Sequence, residues 1–391
     1  MTPEWIWYIF VFAFGSCIGS FLNVVIYRLP RDKSIVSPPS ACPGCDNHIA
    51  FYDNIPLLSW IVLGGRCRHC KMPISPRYFI VELITGLLFL AFFYLYFVMK
   101  IRNLEIDEAQ GLTAFARGGW LMYTAHILLI ASLLAASGID LELWIIPLSI
   151  CWFATLVGFI GSAVAGFVID PQTISFYDIF PVASASSGAI ALGAGIGMII
   201  SLLALKFKII HRSYECDSTV APDTTEYPSQ HPNFPHRREI LKEFLFLAPI
   251  ILGALIANSI LNNPVNFQDK WINLLQIHAI SGFLGSLYGY FIGCAIVWIT
   301  RILGTLAFGK EAMGLGDVHL MGAAGAVIGP KLIVVAFFIA PFFGLAWAIY
   351  QRFSKKTPQI PYGPFLSMGI IAVMIHHDRV MDFLVGLVML N

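Results

Sequence analysis

The chain has 391 residues, of which 58% are hydrophobic and 12% charged, with a formal net charge of +1 and a mean hydropathy of +0.76. That balance excludes an ordinary soluble domain and points to an all-α polytopic membrane protein. A net charge this small gives no reason to expect a nucleic-acid partner; the informative charges are those of individual loops.

The first apolar run, 5–27, lacks the basic start and small-residue cleavage site of a removed signal peptide, so it reads as a retained anchor. Loop 28–77 follows, with Cys42, Cys45, Cys67 and Cys70 as two CxxC pairs separated by 21 residues. That spacing fits a four-thiolate tetrahedral zinc site built on two tight knuckles. Two local disulfides or four unused thiols are the other readings, and a reducing cytosol argues against the disulfides. A closed thiolate shell has no open coordination position, so its role is structural: it staples a loop too short to build its own core. Cys17, Cys151, Cys216 and Cys294 have no partner at metal spacing and read as packing residues.

Apolar runs continue at 78–99, 119–138, 144–168, 186–209, 244–262, 278–302, 332–350 and 363–376, with a shorter one at 318–330. Together they predict about ten crossings on the bilayer-length rule. With the amino terminus outside, loops 28–77, 206–243, 301–317 and 351–362 fall on the cytoplasmic side and carry most of the Lys and Arg. The chain then divides into a first helix (1–27), the tetracysteine loop (28–77), spans carrying Asp140 (78–184), a segment with two helices and a polar loop (185–277), and spans carrying Asp317 (278–391). The polar loop, "RSYECDSTVAPDTTEYPSQHPNFPHRRE", reads as a poorly ordered linker. Its His211, Cys216, His231 and His236 are too irregularly spaced to suggest a second metal site.

Two acidic positions stand out. Asp140, in "SGIDLELWIIPLS", lies at the end of one apolar run with no Lys or Arg within twenty residues on either side. Such a carboxylate is solvated in a turn with Glu142, protonated, or shared with a distant group. Asp317 closes "EAMGLGD", behind Gly314 and Gly316, which let the backbone bend and an extended substrate approach closely. Loop charge puts both aspartates on one side of the membrane. Two carboxylates in a low-dielectric cleft share a proton, activate a water and protonate a leaving group, which is the chemistry of an aspartyl protease.

The chain resembles the bacterial type IV prepilin peptidases, membrane aspartyl proteases of the GxGD class. "GSCIGSFLNVVIYRLP" at 15–30, the tetracysteine loop with "YDNIPLLSW", "ISPRYFIVELITG" at 74–86, "IDLELWIIP" at 139–147, "EAMGLGD" at 311–317 and "PYGPFL" at 361–366 carry the resemblance in family order. It implies that Asp140, seven residues ahead of Pro147, is the first catalytic aspartate and Asp317 the second. It also implies removal of a basic leader from type IV prepilins or type II secretion pseudopilins at the cytoplasmic face of the bacterial inner membrane. Many members then methylate the new amino terminus with S-adenosylmethionine. Here Leu148 stands where the family generally has Asp or Asn, and His319 where a lysine is common.

The remaining features read as architectural. Gly193 with Gly197, and Gly285, Gly289 and Gly293, form small-xxx-small rows for close helix packing. Glu82 is either functional or snorkels beside Arg77. A transporter with intramembrane aspartates and a catalytically silent pilus-assembly scaffold are the alternatives. Replacing Asp140 or Asp317 by Asn separates all three: a peptidase loses leader removal while remaining folded, a transporter loses flux, and a scaffold loses neither.

Overall fold

The computed structural model describes residues 4–211, 213, 236–262, 267–354 and 361–389. Most of the linker read between the fifth and sixth apolar runs, with Cys216 and His231, lies outside them. In chain order the helices are α1 (Glu4–Arg28), α2 (Leu58–Val62), α3 (Pro76–Phe97), α4 (Trp120–Leu143), α5 (Leu148–Ala165), α6 (Pro171–Phe176), α7 (Ala185–Lys206), α8 (His236–Leu261), α9 (Gln268–Leu275), α10 (His278–Phe308), α11 (Leu315–Ile328), α12 (Pro330–Ser354), α13 (Gly363–Ile375) and α14 (His377–Met389). A two-stranded antiparallel hairpin pairs β1 (Glu105–Ile106) with β2 (Ala109–Gln110).

Eight of these helices, α1, α3, α4, α5, α7, α8, α10 and α12, are long and apolar enough to cross a bilayer. Helices α11 and α13 are equally apolar but have only 14 and 13 residues. These ten match the ten apolar runs in the sequence, and the fold is that of an all-α polytopic membrane protein. The hairpin was not foreseen because two-residue strands leave little periodic signal, and α14 because Asp378, Arg379 and Asp382 interrupt the apolar run that marks the other spans.

The chain forms two compact units, one from residues 1–153 and 340–391 and the other from 154–339. In the first, α1 packs on α3 where a Cβ on Gly19 would lie 2.7 Å from the Glu82 Cα, so only glycine permits that approach. Beyond it, edge-to-face rings fill the core: Phe97 and Phe115 have centroids 5.0 Å apart, and Phe93 and Tyr123 5.7 Å. The Tyr123 hydroxyl donates to the Phe89 carbonyl at 2.9 Å. Helix α13 packs along α4, where the Ser137 hydroxyl donates to that of Ser367 at 2.9 Å.

In the second unit the glycine rows do what their spacing predicts. A Cβ on Gly193 in α7 would lie 2.1 Å from the Gly253 carbonyl oxygen of α8, and one on Gly289 in α10 would lie 2.1 Å from that of Gly325 in α11. Both helix pairs therefore meet backbone to backbone. Trp271 of α9 closes a core of Ala183, Ala189, Ala191, Leu284 and Leu287, and its indole N–H donates to the Ala185 carbonyl at 2.9 Å.

Candidate active site

Asp140 lies in the last turn of α4 and is only 6% exposed. The helix ends just beyond it because Trp144 takes a left-handed conformation (φ 59) and returns its amide to the Asp140 carbonyl at 3.0 Å. The Asp140 side chain faces the start of α13, where the Gly363 amide donates to Oδ2 at 3.0 Å. Gly363 is the first residue of that helix, so its N–H is one of the four left without an intrahelical acceptor. The carboxylate thus meets the positive end of the helix dipole. A Cβ at position 363 would lie 2.7 Å from Oδ2, so this contact requires glycine.

The neighbouring charge has a separate partner. Glu142 pairs with Arg77 of α3, 65 residues away in sequence. Of the readings open from sequence, the wet turn fits Glu142, which remains partly exposed, and not Asp140. Glu82 does not snorkel beside Arg77: it is buried and accepts the Leu57 amide at 2.8 Å, tying the start of α2 to α3.

Asp317 belongs to the second unit. Gly314 is the N-cap of α11, and Gly316 and Asp317 lie in its first turn. Asp317 is 8% exposed, and a Cβ on Gly314 would come within 3.6 Å of its Oδ2. The sequence-predicted Gly314, Gly316 and Asp317 therefore share one helix start, and Asp317 too stands at the positive end of an apolar helix. His319 faces away toward α10, where its Nδ1 is 3.2 Å from the Tyr290 hydroxyl. Leu148, the first residue of α5, is exposed.

The four cysteines come together as their spacing predicts. Their sulfurs all lie within 4.8 Å of one another, with Cys42 Sγ and Cys70 Sγ 3.6 Å apart. Zinc–sulfur bonds of about 2.3 Å at tetrahedral angles set sulfurs roughly 3.8 Å apart, so the cluster fits such an ion. The two halves repeat each other. The Cys42 amide donates to Asn47 O at 3.0 Å and that of Cys67 to Met72 O at 2.9 Å, and the residue after each second cysteine, Asp46 or Lys71, is left-handed (φ 54 and 62).

The thiols differ in acidity. Amides of Cys70 and His69 draw Cys67 down to about 6. For Cys70 the Met72 amide acts downward, but desolvation and the sulfurs of Cys42, Cys45 and Cys67 together push it up to about 11. Beside the cluster Arg68 forks onto Asp53, with Nε to Oδ2 at 2.7 Å. That hydrogen bond holds the Asp53 carboxyl below its usual range.

Sequence reasoning missed Gly363, although "PYGPFL" contains it, because the acceptor of its amide lies 223 residues away. It also missed Arg301 and Glu243 of the second unit, a buried ion pair that the half-buried Glu311 joins. The available signal was an arginine within an apolar helix, where an unpaired charge is costly.

A helical polytopic membrane protein with a four-cysteine cluster and two buried aspartates at helix ends is the class that the fold and these sites define. The profile of the Bacterial Peptidase A24 N-terminal domain matches residues 13–96, and that of the Type IV leader peptidase family matches 237–349. The prepilin leader peptidase/N-methyltransferase of Aeromonas hydrophila is 34% identical over 399 residues, covering 95% of this chain and 91% of the relative. The protein of the same name from Myxococcus xanthus is 45% identical over 151 residues, 38% of each chain. The type 4 prepilin-like proteins leader peptide-processing enzyme of Escherichia coli O78:H11 is 27% identical over 376 residues, covering 92% of this chain and 90% of the relative. No solved structure matches. The chain belongs to the type IV leader peptidase family, and its activity is that of a peptidase.

Proposed function

We propose that Asp140 and Asp317 are the catalytic pair of a membrane aspartyl endopeptidase that removes leader peptides from type IV prepilins or type II secretion pseudopilins. The observation that carries this reading is the placement of each carboxylate: Asp317 is buried in the first turn of the short apolar helix α11, and Asp140, buried at the end of α4, accepts the first amide of the short apolar helix α13. In the reaction the oxygen of a water bonds to the scissile carbonyl carbon while one carboxylate takes its proton. The other, protonated carboxyl gives its proton to the departing amine as the C–N bond breaks, so the pair ends one proton transfer from its starting state. A membrane enzyme suits such a substrate, whose apolar helix is itself embedded, and the charge pattern of the loops supports cleavage at the cytoplasmic face of the inner membrane.

Cys42, Cys45, Cys67 and Cys70 hold a structural zinc in this reading, a closed shell that staples residues 42–70 and takes no part in the peptidase step. Methylation of the new amino terminus with S-adenosylmethionine is the second activity proposed, because the relatives from Myxococcus xanthus and Aeromonas hydrophila are named as N-methyltransferases as well as peptidases. Among the described residues no strand runs through a glycine-rich turn into a helix, the arrangement that cradles many nucleotides, so no residue is assigned to that cofactor.

The deciding experiment replaces Asp140 or Asp317 by Asn in the full chain and follows leader removal from a prepilin in lipid vesicles. Each variant is expected to fold and to lose cleavage; a variant that still cleaves at the wild-type rate removes that aspartate from the mechanism. Labelled S-adenosylmethionine with a cleaved pilin tests methylation, and absence of label transfer rejects it.

A further inference from the structure

The segment just before the GxGD glycines is tied down by a buried charge. Arg301 lies inside the 31-residue helix α10 and its side chain is 1% exposed. Its Nε donates to Glu243 Oε1 of α8 at 2.9 Å, and its Nη1 donates to Glu311 Oε1 at 2.7 Å and to the Met313 carbonyl. Glu243, 3% exposed, also accepts from the Trp298 indole at 3.0 Å and from the Ser213 hydroxyl at 3.2 Å. One turn along α10, the Thr305 hydroxyl accepts the Ala312 amide at 3.3 Å. A Cβ on Gly304 would lie 2.6 Å from that of Ala312. Trp298, Arg301 and Thr305 share one face of α10 by their spacing of three and four, and residues 311, 312 and 313 are each fastened to it.

Burying the Arg301–Glu243 pair is a poor way to gain stability, because desolvation offsets most of the attraction and apolar residues of similar volume often do as well. What the network provides is direction. A planar guanidinium with forked donors fixes the angle and distance of its acceptors, which a point charge on a flexible stem does not. Besides Glu243, its acceptors are the Glu311 carboxylate and the carbonyl of Met313, four residues before Asp317.

We propose that Arg301 is a positioning residue that, with Glu243 and Glu311, holds the 311–317 segment so that Asp317 presents its carboxylate at the depth and angle that peptide cleavage needs. The proposal rests on the reading of Asp317 as catalytic. Misplacing a reacting group by about 1 Å costs up to ~100-fold in rate, so loosening this clamp should appear in turnover before it appears in folding.

The test uses the full chain in lipid nanodiscs and a synthetic prepilin segment with its leader. Glu311→Gln weakens one loop-side contact and leaves the Arg301–Glu243 pair in place. It is expected to lower kcat by roughly 10- to 100-fold with KM within about twofold of wild type and the thermal midpoint unchanged. Arg301→Gln should lose more, and Arg301→Lys should recover part of the loss. Wild-type kcat in Glu311→Gln overturns the proposal, and so does a loss that vanishes once activity is counted per folded molecule. Should Arg301→Gln fail to fold, Glu311→Gln decides. Asp317→Asn, run beside them, separates the two ideas. If it still cleaves, the catalytic reading falls and the positioning proposal with it; if it is inactive while Glu311→Gln is fully active, positioning alone fails.

Discussion

At Asp140 a single missing carbon matters. The Gly363 amide reaches Oδ2 only because position 363 has no side chain, and an added Cβ would stand 2.7 Å from that oxygen. Gly363→Ala leaves the helical backbone acceptable, so the strain falls on the carboxylate, which must rotate away. The expected result is roughly a 10- to 100-fold fall in leader removal with little change in thermal midpoint, measured by steady-state cleavage beside a melting curve. Glu82 shows the opposite balance. Its Oε2 accepts the Leu57 amide, and Glu82→Ala leaves that amide without its acceptor, at a cost of about 1–3 kcal/mol to the local fold. That loss should speed hydrogen exchange at Leu57. The sequence marked Asp140 by its lack of a basic neighbour within twenty residues on either side. The partners of Asp140, Glu82 and Glu142 come from other helices, and no local pattern encodes which distant backbone group will meet a side chain.

At the scale of elements, what was legible followed periodicity and spacing. Two CxxC pairs gave a cluster with its knuckles in matching turns, since the Cys-x-x-Cys turn is a local structure. The hydrogen bonds that dock it, Leu57 to Glu82 and Arg68 to Asp53, were not legible. Loop 28–77 has only a five-residue helix, single-turn helices and isolated bridges, too little secondary structure to hold its shape without a staple. On the proposed zinc reading, adding a chelator is therefore expected to leave the helical signal of the spans nearly intact while opening residues 42–70 to protease. Limited proteolysis with circular dichroism, before and after chelator, checks this; a loop equally resistant in both states would reject the structural role. The two short apolar helices add a second point. Fourteen residues at about 1.5 Å each reach roughly 21 Å, short of a hydrocarbon core of about 30 Å. Both α11 and α13 begin beside a buried aspartate.

For the whole molecule, hydropathy gave ten apolar segments, but not which helices touch, because lipid tails and neighbouring helices are alike apolar and only close packing tells them apart. Glycine spacing supplied part of the missing information. Gly289 meets the Gly325 carbonyl oxygen, where a Cβ would lie 2.1 Å away, whereas a Cβ on Gly195 of α7 would make an ordinary 3.5 Å contact with Leu287. The same substitution at the two sites should therefore have opposite signs. Gly195→Ala gains helix propensity of up to about 1 kcal/mol and should leave the thermal midpoint equal or higher. Gly289→Ala gains the same propensity but forces α10 off α11, at a cost typical of overpacking, ~1–3 kcal/mol or more, since a backbone carbonyl cannot turn aside as a side chain can. Melting both variants in one detergent checks the contrast. Equal midpoints would mean that α10 and α11 do not meet backbone to backbone, and with that contact would go the support of the helix that begins at Asp317.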